Sequence, residues 1–281
     1  IYKANSFNLT DDNAGWNNPF DIFEEKKERV NVLVFGVDSS NKEESNSSRS
    51  DTIMLVTIDA EKEKPTVISI PRDTRVEIPG RKNLDKINHA HAYGGTLATL
   101  ETVEKLFDMP IDYYVRLNFN AFIDVVDALG GVEIEITKGE ISHLNNYQYS
   151  MAEDMKIEYT PVKEPGLQTL NGLQTVAYCR IRQIGNDFQR TERQRTVIMQ
   201  IAEKSKTMNP SQLNEIATAA FEEVYTSLEL QEILDLLAMV NEYEIVDSAG
   251  FPEMDMLTTG TIGSHGSCVV PLDLAESVVW L

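Results

Sequence analysis

The feature that most constrains the fold is a nearly continuous apolar run, VNVLVFGVD, from Val30 to Asp38. A run of this kind is typical of a β-strand that is buried on both faces of a sheet. Two further runs, TIMLVTID over 52–59 and TVISIPRD over 66–73, predict a second and a third strand. The polar stretch between the first two runs predicts a loop.

Helical patterns follow these strands. Residues 95–107 have apolar side chains at helical spacing, and residues 120–131 form the clearest helical pattern. Asn120 can cap the start of that second helix, and Gly130 and Gly131 can end it through a left-handed backbone conformation. Residues 138–168 lack periodicity and predict a long irregular excursion.

The remaining elements are predicted from the same signals. They are a strand over 132–136, a helix opened by Asn171, a long helix over 187–208, two helices near 211–224 and 229–240, and a strand over 242–247. Strands that alternate with helices indicate an α/β fold. We therefore predict a single layered α-β-α domain over residues 29–281, with a central mixed β-sheet flanked by helices, and a polar tail over residues 1–28.

The overall charge narrows the range of partners. The chain has 45 acidic and 25 basic residues and a formal net charge of −20. Because so acidic a surface repels a phosphate backbone, we do not expect it to bind nucleic acid. The sequence has no apolar run of membrane-spanning length. The two cysteines, Cys179 and Cys268, could pair or could both be buried thiols.

One short segment runs against the acidic composition. Five arginines and only two acids, Asp187 and Glu192, occur between Tyr178 and Arg195. Arginine without lysine is typical of planar, bidentate recognition of phosphate, whereas a solvated face usually mixes the two. If 178–182 is extended, two of the arginines point to the same face of that segment. Three side chains of the following helix lie together on one face of the helix. The first pair is Arg180 and Arg182, and the helical set is Arg190, Arg193 and Gln194.

Carboxylates mark the ends of two predicted strands. Asp38 ends the first strand and Asp51 opens the second, so both lie near one edge of the sheet if the strands are neighbours. Two carboxylates together with phosphate oxygens and water are the ligands that Mg²⁺ prefers. The alternative is that each aspartate only caps or solvates a loop. Arg72 and Asp73 follow the third strand, where Arg72 could grip phosphate or form a local salt bridge.

Six motifs occur in order along the chain and are similar to those of one family. They are GVDSS, RSDTIMLVTI, SIPRDT, KINHAHAYGG, FIDVVDALGGVEI and YCRIRQIGNDFQRTERQR, and they cover about residues 30–205. On these motifs the chain resembles the LytR-CpsA-Psr family of Gram-positive cell-envelope proteins. The resemblance implies an extracellular catalytic domain on a single-pass membrane protein, with the membrane helix preceding this sequence.

The resemblance also implies an activity. Family members attach anionic glycopolymers, such as wall teichoic acid or capsule, from a polyprenyl-pyrophosphate carrier to a hydroxyl of peptidoglycan. By motif, Asp38 and Asp51 would hold Mg²⁺. The pyrophosphate would be held by Arg72, Arg180, Arg182, Arg190 and Gln194, with Arg49 and Lys86 as supporting contacts. Arg72 and Arg182 would also act in catalysis.

The general base is the least constrained of these assignments. A base must deprotonate the acceptor hydroxyl, and Asp187 between the two arginine pairs is our candidate, with Asp73 as the runner-up. The polyprenyl tail would need an apolar tunnel, which helices 96–107, 120–129 and 197–202 could line, although the default interpretation of their apolar residues is an ordinary core. Two alternatives remain open: a hydrolase of lipid pyrophosphates that uses the same site, and a non-catalytic sensor of phosphorylated wall polymers.

Overall fold

The computed structural model describes residues 29–37, 48–59, 64–182, 184, 187–221, 224–238, 247–253, 255–263 and 266–273. The predicted tail over 1–28 and Asp38 lie outside these ranges, so the division into tail and domain stays a prediction. None of the helices in the described ranges is long and apolar enough to cross a membrane.

Strands and helices are interspersed along the chain. The strands are β1 (Arg29–Val37), β2 (Ser50–Asp59), β3 (Lys64–Ser69), β4 (Arg75–Val76), β5 (Asp85–Lys86), β6 (Tyr113–Leu117), β7 (Val132–Ile136), β8 (Gly166–Leu170), β9 (Tyr225–Thr226), β10 (Asp247–Gly250), β11 (Leu257–Thr261) and β12 (Ser267–Pro271). The helices are α1 (His89–Phe107), α2 (Phe119–Ala128), α3 (Lys138–Met155), α4 (Gly172–Cys179), α5 (Asp187–Lys206), α6 (Pro210–Phe221) and α7 (Leu230–Ala238).

The central sheet is mixed, as predicted. Its six strands lie in the order β10-β3-β2-β1-β6-β9. The pairs β1–β2, β2–β3 and β6–β9 are antiparallel, whereas β1–β6 and β10–β3 are parallel. The predicted first three strands are therefore neighbours in one sheet.

Alternate residues of these strands face two separate layers of helices, which explains why the runs are apolar throughout. Leu33, Phe35 and Leu55 pack on one face with α1. Val32 and Ile58 pack on the other face with Leu228 and with residues of α7. The prediction of a layered α-β-α domain is confirmed.

A second apolar core lies between α2, α3, α4 and the β7–β8 pair. The predicted strand 132–136 is present, but it pairs with β8 in a separate two-stranded sheet. Asn171 caps α4 as predicted, with its side chain accepting from the Gln174 backbone N–H. Gly130 follows α2 with a φ of 76°, which confirms the predicted left-handed end of that helix.

Three local predictions are wrong. Residues 138–155 form a helix, because Thr137 and Glu140 close a capping box at its start. Asn118, rather than Asn120, caps α2 through a bond from the Ala121 N–H. The predicted helix over 95–107 is present as the part of α1 that follows a break at Gly95, whose φ of 63° and ψ of −149° are not helical. Residues 178–182 are not extended, since α4 continues to Cys179 and Arg180 keeps a helical backbone.

Candidate functional site

The candidate site lies at one edge of the central sheet, where three strands bring their polar ends together. Antiparallel pairing places the end of β1 and the end of β3 beside the start of β2. Val37 pairs with Ser50 and Gly36 pairs with Thr52, so Asp51 is an additional residue in the ladder. A β-bulge of this kind re-aims the side chain that it carries. It places Asp51 on this edge.

Asp51 is the centre of an arginine cluster. Its Oδ1 accepts a hydrogen bond from Arg72 Nη1 at 2.6 Å, and its Oδ2 accepts one from Arg182 Nη2 at 2.8 Å. Its backbone carbonyl accepts a bond from Arg190 Nη2 at 3.3 Å. We call these four residues the arginine cluster. Two cations, Arg72 and Arg182, therefore converge on one carboxylate, and a third, Arg190, contacts the backbone of the same residue. Such a concentration of cations is expected of a site that binds a larger anion.

The cluster combines exposed and buried guanidinium groups. The side chain of Arg182 is 43% exposed, whereas that of Arg72 is 17% exposed. Arg190 is almost entirely buried, with 2% of its surface exposed. An anion at this site could therefore contact the buried guanidinium of Arg190 on its protein side and the partly exposed guanidinium of Arg182 on its solvent side.

Arg180 approaches the same space by a different route. Its guanidinium carbon lies 4.9 Å from the ring centre of Phe119 and 5.6 Å from that of Tyr147. Cation–π contacts of this kind orient the planar group. Arg180, Gln194 and the arginine cluster (except Arg72) line the same cavity, so the structure brings most of the predicted pyrophosphate ligands together.

Lys86 and Asp73 form a second ion pair beside the cluster. Lys86 Nζ lies 2.8 Å from Asp73 Oδ1, and Asp73 Oδ2 lies 3.8 Å from Arg72 Nε. Lys86 is therefore connected to Arg72 through Asp73 rather than by a direct contact. Arg49 is exposed immediately before β2. Asp187 begins α5, but its side chain is outside the described part of the structure.

Arg193 does not join the cluster. Its Nε donates to Glu140 Oε1 at 2.8 Å, and its two other nitrogens donate to the carbonyls of Ile181 and Ile184, both at 3.3 Å. Sequence spacing placed it on one helix face with Arg190 and Gln194, and all three side chains are buried, but Arg193 contacts Glu140 instead of Asp51. The reason is a long-range one, since Glu140 lies at the start of α3 and attracts Arg193 to the second core.

An apolar cavity opens beneath the cations. It contains about 760 Å³ of space between atoms, including its open mouth. Its walls come from the central sheet and from α2, α4 and α5, whereas α1 takes no part in them. The apolar wall residues include Val34, Met54, Phe119, Phe122, Val176 and Ile198. Of the three helices predicted to form a tunnel, the structure therefore places two at the cavity and excludes 96–107.

Cys179 also lines this cavity, and burial raises the pKa of its thiol to about 12. Cys268 is buried in β12, and both cysteines are free thiols. The disulfide that the sequence left open is therefore not formed. A protonated thiol is a small apolar group, so Cys179 acts as part of the wall.

The donor set at the sheet edge fits the chemistry of magnesium. Asp51 offers a carboxylate, and residue 38 directly follows Val37, the ladder partner of Ser50. Mg²⁺ is commonly held by one or two carboxylates and completes its shell with water and phosphate oxygens. Within the described ranges, no three His, Cys, Asp or Glu side chains are grouped to hold a metal by themselves. A metal site at this edge would thus depend on Asp38 or on a bound phosphate.

Comparisons with known proteins agree with this architecture. The sequence matches the LytR_cpsA_psr family over residues 3–265. It is 37% identical over 220 residues to the polyisoprenyl-teichoic acid–peptidoglycan teichoic acid transferase TagU of Halalkalibacterium halodurans, across 77% of this chain and 66% of that protein. It is 34% identical over 229 residues to the Bacillus subtilis transferase of the same type, TagT, across 80% of this chain and 68% of that protein.

A solved structure gives the same result for the fold. The structure of the LytR-CPS2A-psr family protein YwtF (TagT) with bound octaprenyl pyrophosphate lipid is similar with a TM-score of 0.66 at 26% identity, across 100% of this chain and 93% of that one. The match to the curated relatives spans about two thirds of their length.

Proposed function

The chain belongs to the LytR-CpsA-Psr family, and from this premise we propose that it transfers an anionic glycopolymer from a polyprenyl-pyrophosphate carrier to a hydroxyl group of peptidoglycan. The observation that carries the proposal is the arginine cluster at the mouth of an apolar cavity. An amphiphile with a pyrophosphate head and a prenyl tail needs these two environments side by side. The names of the relatives TagU and TagT favour teichoic acid as the polymer.

The proposed reaction replaces the phosphoanhydride bond of the carrier with a phosphate ester bond to the acceptor. The acceptor hydroxyl oxygen attacks the phosphorus atom that carries the glycan, and the bond from that phosphorus to the bridging oxygen breaks. Polyprenyl phosphate leaves with the bridging oxygen, and the hydroxyl proton passes to a base. Catalysis of such a transfer depends mainly on positioning and on stabilising negative charge.

The arginine side chains supply that charge stabilisation. Arg72 and Arg182 already point their donors at the Asp51 carboxylate, and pyrophosphate oxygens entering the site would accept hydrogen bonds from the same groups. Arg180, Arg190 and Gln194 would hold the remaining oxygens from the cavity side, with Arg49 and Lys86 at the periphery. A geometry formed before the ligand arrives lowers the cost of ordering these groups.

Mg²⁺ is proposed as the cofactor, held by Asp51 and Asp38. When bound, it would neutralise part of the charge that develops on the phosphate oxygens. The support is the donor chemistry at the sheet edge, where β2 carries Asp51 beside Val37, the residue before Asp38 in the sequence.

Asp187 is proposed as the base that receives the acceptor proton. It begins the helix that also carries Arg190 and Gln194, so it would enter the site from the same element. Asp73 is less suited, because its carboxylate is already engaged in an ion pair with Lys86 at 2.8 Å. We further propose that this domain is part of a membrane-anchored protein and that it acts outside the cell.

The decisive experiment is a reconstituted transfer assay with a lipid-linked glycan, peptidoglycan strands and Mg²⁺, in which wild type is compared with Arg182→Ala. Arg182 is partly exposed, so we expect the variant to fold normally and to lose transfer by roughly a hundredfold or more. Lys105→Ala removes a cation from an exposed ion pair with Glu77 and serves as the matched control. Full activity in Arg182→Ala would refute the assignment of the site.

Product analysis separates the two alternative functions. Release of free phosphorylated glycan in place of an adduct would identify a hydrolase. Tight binding of phosphorylated polymer that is unaffected by Mg²⁺ and by Asp51→Ala, without any turnover, would identify a sensor.

A further inference from the structure

A second pocket lies on the other side of strand β5 from the arginine cluster. It is lined by residues 80–85 and by Tyr93, and we call it the Arg81 pocket. Lys86 and Asp85 are successive residues of β5, so their side chains point to opposite sides of the strand. Lys86 contacts Asp73 next to the cluster, whereas Asp85 contacts Tyr93 in the pocket.

The pocket has a rigid frame although its surface is exposed. Ile78 and Ile87 flank the loop and are buried in the main core. The Arg81 N–H donates to the Ile78 carbonyl at 3.0 Å and closes a turn, in which Gly80 adopts a φ of 78°. A loop that is fixed at both ends can present side chains without a large ordering cost.

Asp85 holds the aromatic side of the pocket in place. Its Oδ2 accepts from the Tyr93 hydroxyl at 2.6 Å, and its Oδ1 contacts the Lys86 N–H at 2.8 Å and His89 Nδ1 at 2.9 Å. Burial by itself would raise the pKa of Asp85, but these hydrogen bonds outweigh it and hold the pKa far below its usual range. The carboxylate lines the pocket but is engaged with these protein groups.

The cations of the pocket are presented to solvent. The Arg81 guanidinium carbon lies 3.9 Å above the centre of the Tyr93 ring, which fixes its plane. The same guanidinium also interacts with the Tyr93 hydroxyl. Lys82 and Asn83 follow it on the exposed loop. Within the described part of the chain, no carboxylate lies within salt-bridge distance of Arg81 or Lys82. Tyr93 itself remains 45% exposed.

We infer that the Arg81 pocket is a subsite for an anionic saccharide unit of one of the substrates. It would hold this unit on the other side of β5 from the arginine cluster. The Tyr93 ring provides an aromatic surface on which a sugar can pack. The guanidinium of Arg81 and the amide of Asn83 can donate hydrogen bonds to the carboxylate or phosphate of that sugar. This inference rests on the proposed transfer. The anionic group can come from the peptide-bearing peptidoglycan acceptor or from the phosphodiesters of the donor glycan, and both present the same chemistry.

The test is a binding titration with two soluble probes, a peptidoglycan strand with its stem peptides and a lipid-free teichoic acid. Wild type is compared with Arg81→Gln, with Tyr93→Ala and with the control Lys163→Gln, which removes an equal charge from an exposed loop elsewhere. We expect both pocket variants to weaken binding of at least one probe roughly tenfold, because a charge-assisted contact and its support are lost. The control should bind as wild type does.

The pattern across the probes identifies the source of the anion. Weaker binding of the peptidoglycan strand alone assigns the pocket to the acceptor, and weaker binding of teichoic acid alone assigns it to the donor. Unchanged binding of both probes by folded Arg81→Gln and Tyr93→Ala would overturn the inference.

A separate measurement keeps this test apart from that of the proposed function. Thermal stabilisation by octaprenyl pyrophosphate should be unchanged in Arg81→Gln, since the lipid head binds at the arginine cluster. A loss of this stabilisation in Arg81→Gln would mean that the variant acts through the main site, and would also overturn the inference. A wild-type protein that binds no lipid pyrophosphate would instead contradict the proposed function itself.

Discussion

Arg193 and Glu140 form a buried ion pair, in which Arg193 Nε donates to Glu140 Oε1 at 2.8 Å. Only 10% of the first side chain and 7% of the second are exposed. Arg193 also donates to the carbonyls of Ile181 and Ile184. The pair thus fixes the backbone on both sides of Arg182, although neither member enters the site, and both are positioning residues.

Glu140→Gln should destabilise the protein by about 3 kcal/mol, because it leaves a buried guanidinium without its charged partner. Urea unfolding measures the loss. Glu203→Gln is the matched control, since Glu203 forms an exposed pair with Lys206 on one helix, and it should change the free energy of unfolding by less than about 0.5 kcal/mol. Equal effects of the two substitutions would contradict the assignment of Glu140 as a positioning residue.

The same pair predicts a pH dependence. Burial would raise the pKa of Glu140, but its hydrogen bonds with Thr137 and Arg193 outweigh burial and lower it from 4.5. Because the folded pKa is below the unfolded one, the stabilisation is complete above about pH 4.5 and is lost as the pH falls through the lower folded value. The difference between wild type and Glu140→Gln should therefore shrink in acid.

Cys179→Phe should block the apolar cavity. The larger side chain occupies space that a prenyl chain would need, and overpacking costs about 1–3 kcal/mol. We expect stabilisation by octaprenyl pyrophosphate to disappear in a melting experiment, while a short-chain pyrophosphate still stabilises the protein through the arginine cluster. Cys179→Ser is similar in size to the native residue and should retain both responses. If Cys179→Phe still responds to the octaprenyl ligand, the lipid does not occupy this cavity.

Both cysteines should resist alkylation in the folded protein. Burial raises the pKa of Cys179 to about 12 and also raises that of Cys268, and only the thiolate reacts. At pH 8 a thiol with the pKa of Cys179 is ionised to roughly one part in ten thousand. Mass spectrometry after iodoacetamide treatment should show no modification in buffer and two modifications in urea. Rapid labelling of Cys179 in buffer would indicate that the cavity opens to solvent.

His91 should contribute to acid destabilisation. It is fully buried beside Phe35, and its Nδ1 donates to the Ser48 carbonyl at 2.7 Å. Burial and the nearby Arg116 lower its pKa from 6.5, in spite of this hydrogen bond. The unfolded chain therefore takes up a proton at a higher pH than the folded protein does. Stability should fall as the pH drops below about 6.5.

The measurement is the urea midpoint between pH 7 and pH 5. His91→Gln keeps a donor for Ser48 without titrating, so its midpoint should depend less on pH than that of wild type. His143→Gln serves as the control and should keep the wild-type dependence. An unchanged slope in His91→Gln would show that other groups cause the acid sensitivity.

The elements that the sequence predicted best have strong local signals. The runs that became β1, β2 and β3 are mainly apolar because both faces of the sheet are covered, and such runs are hard to mistake. Asn171 and Gly130 were placed correctly because capping depends on neighbouring backbone groups alone. Helix α3 was missed because it has few apolar residues, although the Thr137–Glu140 capping signature was visible in the sequence.

The site was predicted in its residue types more completely than in its geometry. One turn of α5 carries both Arg190 and Arg193, and local spacing cannot tell which one faces Asp51. That choice depends on Glu140, which is 53 residues away from Arg193 in the sequence. The stacking of Arg180 on Phe119 and Tyr147 depends on contacts of the same long-range kind, and the Asp51 bulge depends on the register of β1 against β2.

The apolar cavity also bears on how the proposed transferase would finish each cycle. The carrier lipid would have the same prenyl tail before and after the reaction, so the walls formed by Phe122, Val176 and Ile198 would bind product as firmly as substrate. Contacts of this uniform kind favour occupancy without speeding the chemical step. Turnover would then be set by the departure of the spent carrier, and a nearby bilayer that accepts this lipid would act as an accelerator of the enzyme.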